Sequence, residues 1–181
     1  MLSTSDSLVE RARDGDESAW REIVADIGPR LRGYARARGA PDPDDVMQDV
    51  LLAAAERLHA FEGDGSAFRS WIFSIAYRKI ADRHRVSGRE MVMDRLPERP
   101  APSPEQEVVE RTGGAAALDA LRVLSDIERD VVLMRVIGEM DTADVARAVG
   151  KSVGNVRVIQ HRAMARVRAE LGRIGYGTSA A

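Results

Sequence analysis

Apolar residues recur at intervals of three and four along most of the chain, a spacing typical of helices with one buried side. An apolar group at Leu8–Ala12 indicates a short first helix. A second helix begins behind Asp16, and its apolar side either continues or restarts beyond Gly28 and Pro29. No stretch alternates apolar and polar residues for long enough to require a strand, so an all-α protein is expected.

Two further helices are predicted in the N-terminal half. Asp42 followed by Pro43 opens the third, because proline is tolerated at a first helical position. Ser66 caps the fourth, which runs to about Arg85. The buried stripe of the third helix is expected to consist of Val46, Val50, Ala54, Leu58 and Phe61.

A change of composition separates the two halves of the chain. Four of the seven prolines fall close together, at positions 97, 100, 102 and 104. Prolines at such spacing block helix formation and favour extended backbone. We therefore predict domains at residues 1–86 and 114–174, a flexible linker at 87–113 and a tail at 175–181; the alternative is a long surface loop inside one domain.

Further helices are predicted after the linker. Leu118, Leu121 and Leu124 form the stripe of the first, and Ser125 with Glu128 forms a capping box for the second. A short helix behind Asp141, a turn at Gly150 and a longer helix behind Ser152 follow. This order is typical of a helix-turn-helix motif.

The last predicted helix is rich in cations. Between Ala143 and Ile174 there are seven basic and two acidic residues, in a protein whose net charge is −2. Such a surplus is typical of a surface that contacts phosphates, and the first turns of such a helix enter the major groove. An ordinary solvated face is the alternative. The candidate duplex-binding residues are Lys151, Ser152, Asn155, Arg157, Val158, His161 and Arg162.

The third helix has an acidic side opposite its apolar stripe. A leucine lies among the acids, which suits docking onto a basic protein partner, although a solvated acidic face is the alternative. The residues on this side are Asp44, Asp45, Gln48, Asp49, Leu52 and Glu56.

The fourth helix combines aromatic and basic residues. Five of the eight aromatic residues lie in the segment from Phe61 to Tyr77. The segment from Ser66 to Glu90 contains six basic residues and two acidic ones. Rings stack on bases while cations hold phosphates, so this helix suits single-stranded DNA. The alternative is a core stripe on an amphipathic helix, expected to consist of Phe68, Ile72, Ile75 and Ala76.

Together these features resemble the extracytoplasmic-function (ECF) group of bacterial sigma factors. Within that group, the sequence looks most similar to actinobacterial members. The resemblance rests on "DPDDVMQDVLLAAAERLHAF", "FRSWIFSIAYRKIADRHR" and "LSDIERDVVLMRVIGEMDTADVARAVGKSVGNVRVIQHRAMARVRAEL". It implies a region-2-like helical bundle and a region-4-like helix-turn-helix, which bind core RNA polymerase and direct promoter-specific initiation.

The resemblance also implies a role for each candidate set. Asp44, Asp45, Gln48, Asp49 and Leu52 would dock on the clamp coiled coil of the largest polymerase subunit. The final helix would read the minus-thirty-five duplex, and an anti-sigma factor is an expected partner. The residues that would melt and hold the minus-ten element are Asp64, Ser66, Phe68, Arg69, Trp71, Tyr77, Arg78, Lys79 and Arg83.

Other classes of function find little support. The chain lacks cysteine, its histidines lack metal-ligand spacing, and no nucleophile constellation appears, so neither an enzyme nor a cofactor or metal site is expected. No apolar run approaches the ~18 residues of a membrane span, and no signal peptide is apparent, so a cytoplasmic location is expected. A stand-alone helix-turn-helix regulator with an N-terminal sensing or dimerising domain, and a helical adaptor that binds only protein, remain alternatives.

Overall fold

The structure is a computed structural model that describes residues 5–90 and 115–174. Most of the predicted linker and the predicted tail lie outside the described residues. Within the described residues all regular structure is helical. The α-helices are α1 (Asp6–Arg13), α2 (Glu17–Ala37), α3 (Pro43–Ala55), α4 (Gly65–Glu90), α5 (Ala115–Ala120), α6 (Asp126–Val136), α7 (Thr142–Val149) and α8 (Val153–Arg173), with 3-10 turns at Leu58–Ala60 and Leu121–Val123.

The predicted helix starts in the N-terminal half follow from local side-chain caps. The Asp16 carboxylate accepts hydrogen bonds from the backbone N–H groups of Ser18 and Ala19, at 2.9 and 3.2 Å. Such a cap satisfies donors that have no partner within the helix. The chain then continues through Pro29 as a single helix, which decides the alternative left open by the sequence.

Three predicted boundaries of this half are wrong. α3 ends at Ala55 and a 3-10 turn carries Leu58. Four of the five stripe residues, Val46, Val50, Ala54 and Leu58, are buried, whereas Phe61 lies beyond the turn and is only half-buried. The residue that caps α4 is Asp64 and not Ser66, because the Asp64 carboxylate accepts from the Ala67 N–H at 2.7 Å. α4 also continues to Glu90, beyond the predicted end near Arg85.

The C-terminal half contains the predicted turn and cap chemistry. Ser125 and Glu128 form a reciprocal capping box at the start of α6. Gly150 adopts the left-handed conformation, with φ 65° and ψ 39°, and joins α7 to α8. Glycine has no Cβ to clash in this region, which is why it commonly ends helices.

Both halves contribute to one hydrophobic core. α6 packs against α2, and α7 packs against α4. The Phe73 ring of α4 meets the Tyr34 ring edge-on at a centroid distance of 5.6 Å, and it also contacts the backbone at Gly138. Phe68, Ile72, Ile75 and Ala76 are buried as predicted. Phe73 is fully buried on another side of α4, because that side faces the C-terminal half.

Candidate polymerase and promoter interfaces

The start of α8 presents the predicted duplex-binding residues on an exposed surface. The Ser152 hydroxyl caps the helix by accepting from the Asn155 N–H at 3.2 Å. Val156 and Ala163 are fully buried and fix the opposite side of the helix against the core. All seven candidates are exposed: Lys151, Ser152, Asn155, Arg157, Val158, His161 and Arg162.

The cations of α7 and α8 fall into two groups. Arg147, Arg166 and Arg173 pair with Asp144, Glu128 and Glu170 respectively. Among the residues that the structure describes, no ion pair engages the others, which are Lys151, Arg157, Arg162 and Arg168. The cations at the start of α8 are therefore available for phosphates or base edges, which is the arrangement that duplex contact requires.

The acidic side of α3 forms a second exposed surface. Asp44, Asp45 and Gln48 are exposed, and Asp49 is half-buried. Leu52 lies beside them with 61% of its surface exposed. A large aliphatic side chain surrounded by carboxylates offers apolar contact and negative charge to the same partner.

Ion pairs join this acidic surface to the basic end of α4. The Arg83 guanidinium lies 2.8 Å from Asp45 and 2.6 Å from Asp49, and Lys79 lies 3.8 Å from Asp49. Burial opposes the charged form of Arg83, but hydrogen bonds to the two carboxylates outweigh it, so the pKa of Arg83 is raised. Lys79 and Arg83 therefore contact the predicted docking surface here, and their contact with DNA stays a prediction.

The remaining minus-ten candidates line the first half of α4 and the turn before it. Asp64, Ser66 and Arg78 are exposed, while Arg69, Trp71 and Tyr77 are half-buried. Trp71 stacks on Phe61 with ring centroids 5.1 Å apart. The structure thus places a partly exposed ring beside cations, which suits base stacking.

Phe68 requires a correction. Its side chain is fully buried, with its ring edge-on to Phe61 at 5.3 Å. It shares the inward side of α4 with Ile72 and Ile75, so it cannot reach a nucleic acid from this position. The prediction that Phe68 contacts the minus-ten strand is therefore wrong for this structure, and its role is to hold α4 in the core.

Sequence reasoning missed a buried polar cluster between the halves. Arg38 at the end of α2 and Asp130 on α6 are 6% and 5% exposed, and their Nε and Oδ1 atoms are 2.6 Å apart. The Arg38 Nε–H is not directed at an acceptor, so the contact is an ion pair without an aligned hydrogen bond. The Tyr34 hydroxyl donates to Asp130 at 3.4 Å. No local pattern marks these residues, because their partners lie far away along the chain.

Two kinds of feature are absent from the described ranges. Among the side chains described, those of residues 5–83 and 116–174, no cluster of three or more histidines or acids has a geometry that could hold a metal ion. Across the same ranges, no helix is both long enough and apolar enough to cross a bilayer.

Two family models match the chain over most of its described length. Sigma-70 region 2 matches residues 23–90, and Sigma-70 region 4 matches residues 120–169. The first match contains α3 and α4 with the acidic and aromatic-basic surfaces. The second contains the capping box, the helix-turn-helix and the exposed start of α8.

Similar proteins match across both halves. The ECF RNA polymerase sigma factor SigD of Mycobacterium tuberculosis is 34% identical over 92% of this chain and 83% of its own length. The ECF sigma factor ShbA of Streptomyces griseus is 32% identical over 90% of this chain and 93% of its own. Such end-to-end similarity does not fit a stand-alone regulator with an unrelated N-terminal domain.

Solved structures share the fold. The structure of CnrH in complex with the cytosolic domain of CnrY has a TM-score of 0.67 and 28% identity, covering 94% of this chain and 98% of CnrH. RpoE of Bartonella quintana, solved with the anti-sigma factor NepR, has a TM-score of 0.65 at 22% identity over 84% of this chain and 96% of RpoE. The chain therefore belongs to the sigma-70 family, as an ECF-type alternative sigma factor that binds core RNA polymerase and directs promoter-specific transcription initiation.

Proposed function

We propose that three separate surfaces of this sigma factor bind core polymerase, the minus-ten strand and the minus-thirty-five duplex. The acidic side of α3, with Asp44, Asp45, Gln48, Asp49 and Leu52, docks on the clamp coiled coil of core polymerase. The start of α4 and the turn before it capture the minus-ten strand. The start of α8 reads the minus-thirty-five duplex. The observation that carries the proposal is the set of exposed, unpaired cations at the start of α8, positioned by the Gly150 turn and the Ser152 cap.

The duplex contact follows from the chemistry of the exposed side chains. Asn155 can donate and accept with an adenine edge, and Arg157 can donate two hydrogen bonds to guanine or hold a phosphate. Val158, which is 47% exposed, can contact a thymine methyl group. Lys151 and Arg162 supply phosphate contacts that fix the register of the helix on the duplex.

The minus-ten contact uses the turn before α4. Asp64 lies in this turn and Ser66 in the first turn of α4, and both are exposed, while Trp71 on a following turn is half-buried. A base extruded from the duplex loses a few kcal/mol of stacking, and polar and aromatic contacts at this turn offset that loss. Arg69 and Arg78 lie on the following turns, where they can hold the phosphates of the displaced strand.

The regulation and location of the protein are part of the same proposal. RpoE of Bartonella quintana was solved with an anti-sigma factor, and CnrH with the cytosolic domain of CnrY. We infer an anti-sigma partner for this chain too, and a cytoplasmic location in which the polymerase is accessible.

Run-off transcription with purified core polymerase on a library of randomised promoters tests the proposal. The expected result is factor-dependent transcripts from promoters that share two elements at fixed spacing. Core polymerase without the chain is the control. If the chain produced no transcripts and instead bound a palindromic duplex without polymerase, the proposal would be overturned in favour of a stand-alone regulator.

A further inference from the structure

The three carboxylates of the proposed docking surface are all paired with cations of this chain. Asp45 and Asp49 share the guanidinium of Arg83, at 2.8 and 2.6 Å. Asp44 is paired with Arg32 of α2, whose Nε and Nη2 atoms lie 2.6 and 2.5 Å from the Asp44 Oδ1 atom. The surface that is proposed to attract a basic partner is therefore largely neutralised by its own chain.

Arg32 and Arg83 differ in what else they contact. Arg83 bridges two carboxylates between α3 and α4, and it also belongs to the minus-ten candidates. Among the residues that the structure describes, the ion pair of Arg32 is with Asp44 alone. The two side chains of this pair are 46% and 53% exposed, so water reaches both charges. A pair in such contact with water is weak, and another pair can replace it.

The position of Asp44 makes Arg32 dispensable for the fold. Asp44 lies in the first turn of α3, where the helix dipole favours a negative charge. The helix start has a cap of its own, because the Asp42 carboxylate accepts from the Asp45 N–H at 2.9 Å. Loss of Arg32 would therefore leave both the helix and its acid in place.

A cation of an approaching partner meets two opposite charges at Asp44. The attraction of the carboxylate and the repulsion of the Arg32 guanidinium nearly cancel for a charge at a distance. To form hydrogen bonds with Asp44, the partner must displace Arg32. Docking then exchanges one ion pair for another, which favours binding less than the capture of a free carboxylate does.

We propose that Arg32 competes with core polymerase for Asp44, so that docking replaces the Arg32–Asp44 pair with a pair between Asp44 and a basic residue of the clamp. The arginine holds the affinity of the free chain for core polymerase below the value that the carboxylates alone would give. This inference rests on the proposed docking role of α3, and it adds a residue outside that helix which opposes docking.

Binding of the full chain to immobilised core polymerase, measured by biolayer interferometry, tests the competition. Arg32→Gln removes the competing charge and should bind about threefold to fivefold more tightly than wild type in about 0.1 M salt. The difference should shrink in about 0.5 M salt, because ions screen charges that are half-exposed. Circular dichroism verifies that the variant is folded.

Arg11→Gln is the matched control. Arg11 is 50% exposed, and its Nε and Nη2 atoms contact one Asp16 oxygen at 2.8 and 2.5 Å. This pair lies at the start of α2, about 24 Å along that helix from Arg32. Arg11→Gln changes the net charge by the same amount and should leave the affinity for core polymerase unchanged. Equally tighter binding of both variants would show that net charge alone governs affinity, which would overturn the competition.

A double-mutant cycle tests whether the competition is for Asp44. Asp44→Asn should weaken core binding less than about twofold in the wild-type chain, where Arg32 occupies the carboxylate. In the Arg32→Gln chain, where the carboxylate is free, it should weaken binding at least about threefold. Equal fold-changes in the two chains would overturn the competition. An Arg32→Gln chain that bound more weakly than wild type would also overturn it, because Arg32 would then orient Asp44 for the partner.

The same measurements separate failure of the competition from failure of the docking surface. If Leu52→Ala weakens core binding but Arg32→Gln does not strengthen it, the docking surface stands and the competition is overturned. If Leu52→Ala leaves the affinity unchanged and Asp44→Asn does so in both chains, the proposed docking role of α3 is overturned, and the competition with it.

Discussion

Leu52 shows how one exposed residue can carry a docking contact. Its side chain lies in water among carboxylates, an arrangement that costs free energy unless a partner covers it. Asp45 and Asp49 are engaged with Arg83, so substituting them would also disturb α4. Leu52 is the cleaner position at which to test the acidic surface of α3.

Leu52→Ala should weaken binding to core polymerase by about 2 kcal/mol, roughly 30-fold, because three buried carbons are lost at the interface. Biolayer interferometry with immobilised core polymerase measures the change. Val136→Ala is the matched control, since Val136 has the same 61% exposure and lies on α6, away from α3. Equal affinities for both variants would remove Leu52 from the docking surface.

Arg157 is the residue on which duplex specificity is expected to depend most. Its guanidinium is exposed at the start of α8. Arg157→Ala should weaken binding to promoters with an intact minus-thirty-five element by about 1–3 kcal/mol, and transcription from these promoters should fall accordingly. Affinity for core polymerase should stay unchanged. Arg168→Ala, an exposed cation farther along the same helix, is the control. Wild-type output from the Arg157→Ala chain would exclude it from the recognition set.

The joint between α7 and α8 is the element on which the orientation of the recognition helix depends. Gly150 has positive φ, and a Cβ placed there would meet no atom within 4 Å. The effect of a substitution is therefore backbone strain alone, without steric clash. Gly33, in the interior of α2, also has open space around it but ordinary helical geometry.

Gly150→Ala should lower the free energy of unfolding by about 1 kcal/mol, because alanine is strained in the left-handed region. Gly33→Ala should raise it by up to about 1 kcal/mol, because alanine favours helix. Thermal denaturation by circular dichroism should therefore give shifts of opposite sign. A stabilising Gly150→Ala would contradict the observed turn conformation.

At the scale of the whole molecule, the buried charges between the halves link stability to pH. Burial raises the pKa of Asp130 from 3.8 to about 6, and the positive charge of Arg38 opposes part of that rise. The folded chain therefore binds this proton more readily than the unfolded chain does. The charged or titratable groups that influence Asp130 are Arg38, Tyr34, Tyr77, Asp126 and Arg129.

Because the folded-state pKa is raised, the contribution of Asp130 to stability is greatest below pH 4 and is lost as pH rises through 6. Urea titrations at pH 7 and pH 5 should show the free energy of unfolding of wild type rising by about 1 kcal/mol relative to Asp130→Asn as pH falls. Both proteins contain the same other carboxylates, so the pH-dependent contributions of those groups to stability cancel in the difference. A difference that stays constant or shrinks toward pH 5 would contradict the raised pKa.

The sequence by itself determined the order of the helices, most of their caps and the helix-turn-helix. Three local features could be recognised from the sequence, because each depends on residues within a few positions of one another: the Asp16 cap, the Ser125–Glu128 capping box and the Gly150 turn. The segregation of charge onto α3, α4 and α8 was equally legible, because helical periodicity assigns each residue to a side.

The tertiary structure decided what those sides contact. It buried Phe73, paired Arg83 with Asp49 across 34 residues, and brought Tyr34 to Asp130 across 96. A helical period separates inward from outward only within one element. Which exposed side of a helix packs against another helix depends on the tertiary arrangement of segments that are distant in the chain, and the local spacing of residues does not encode that arrangement.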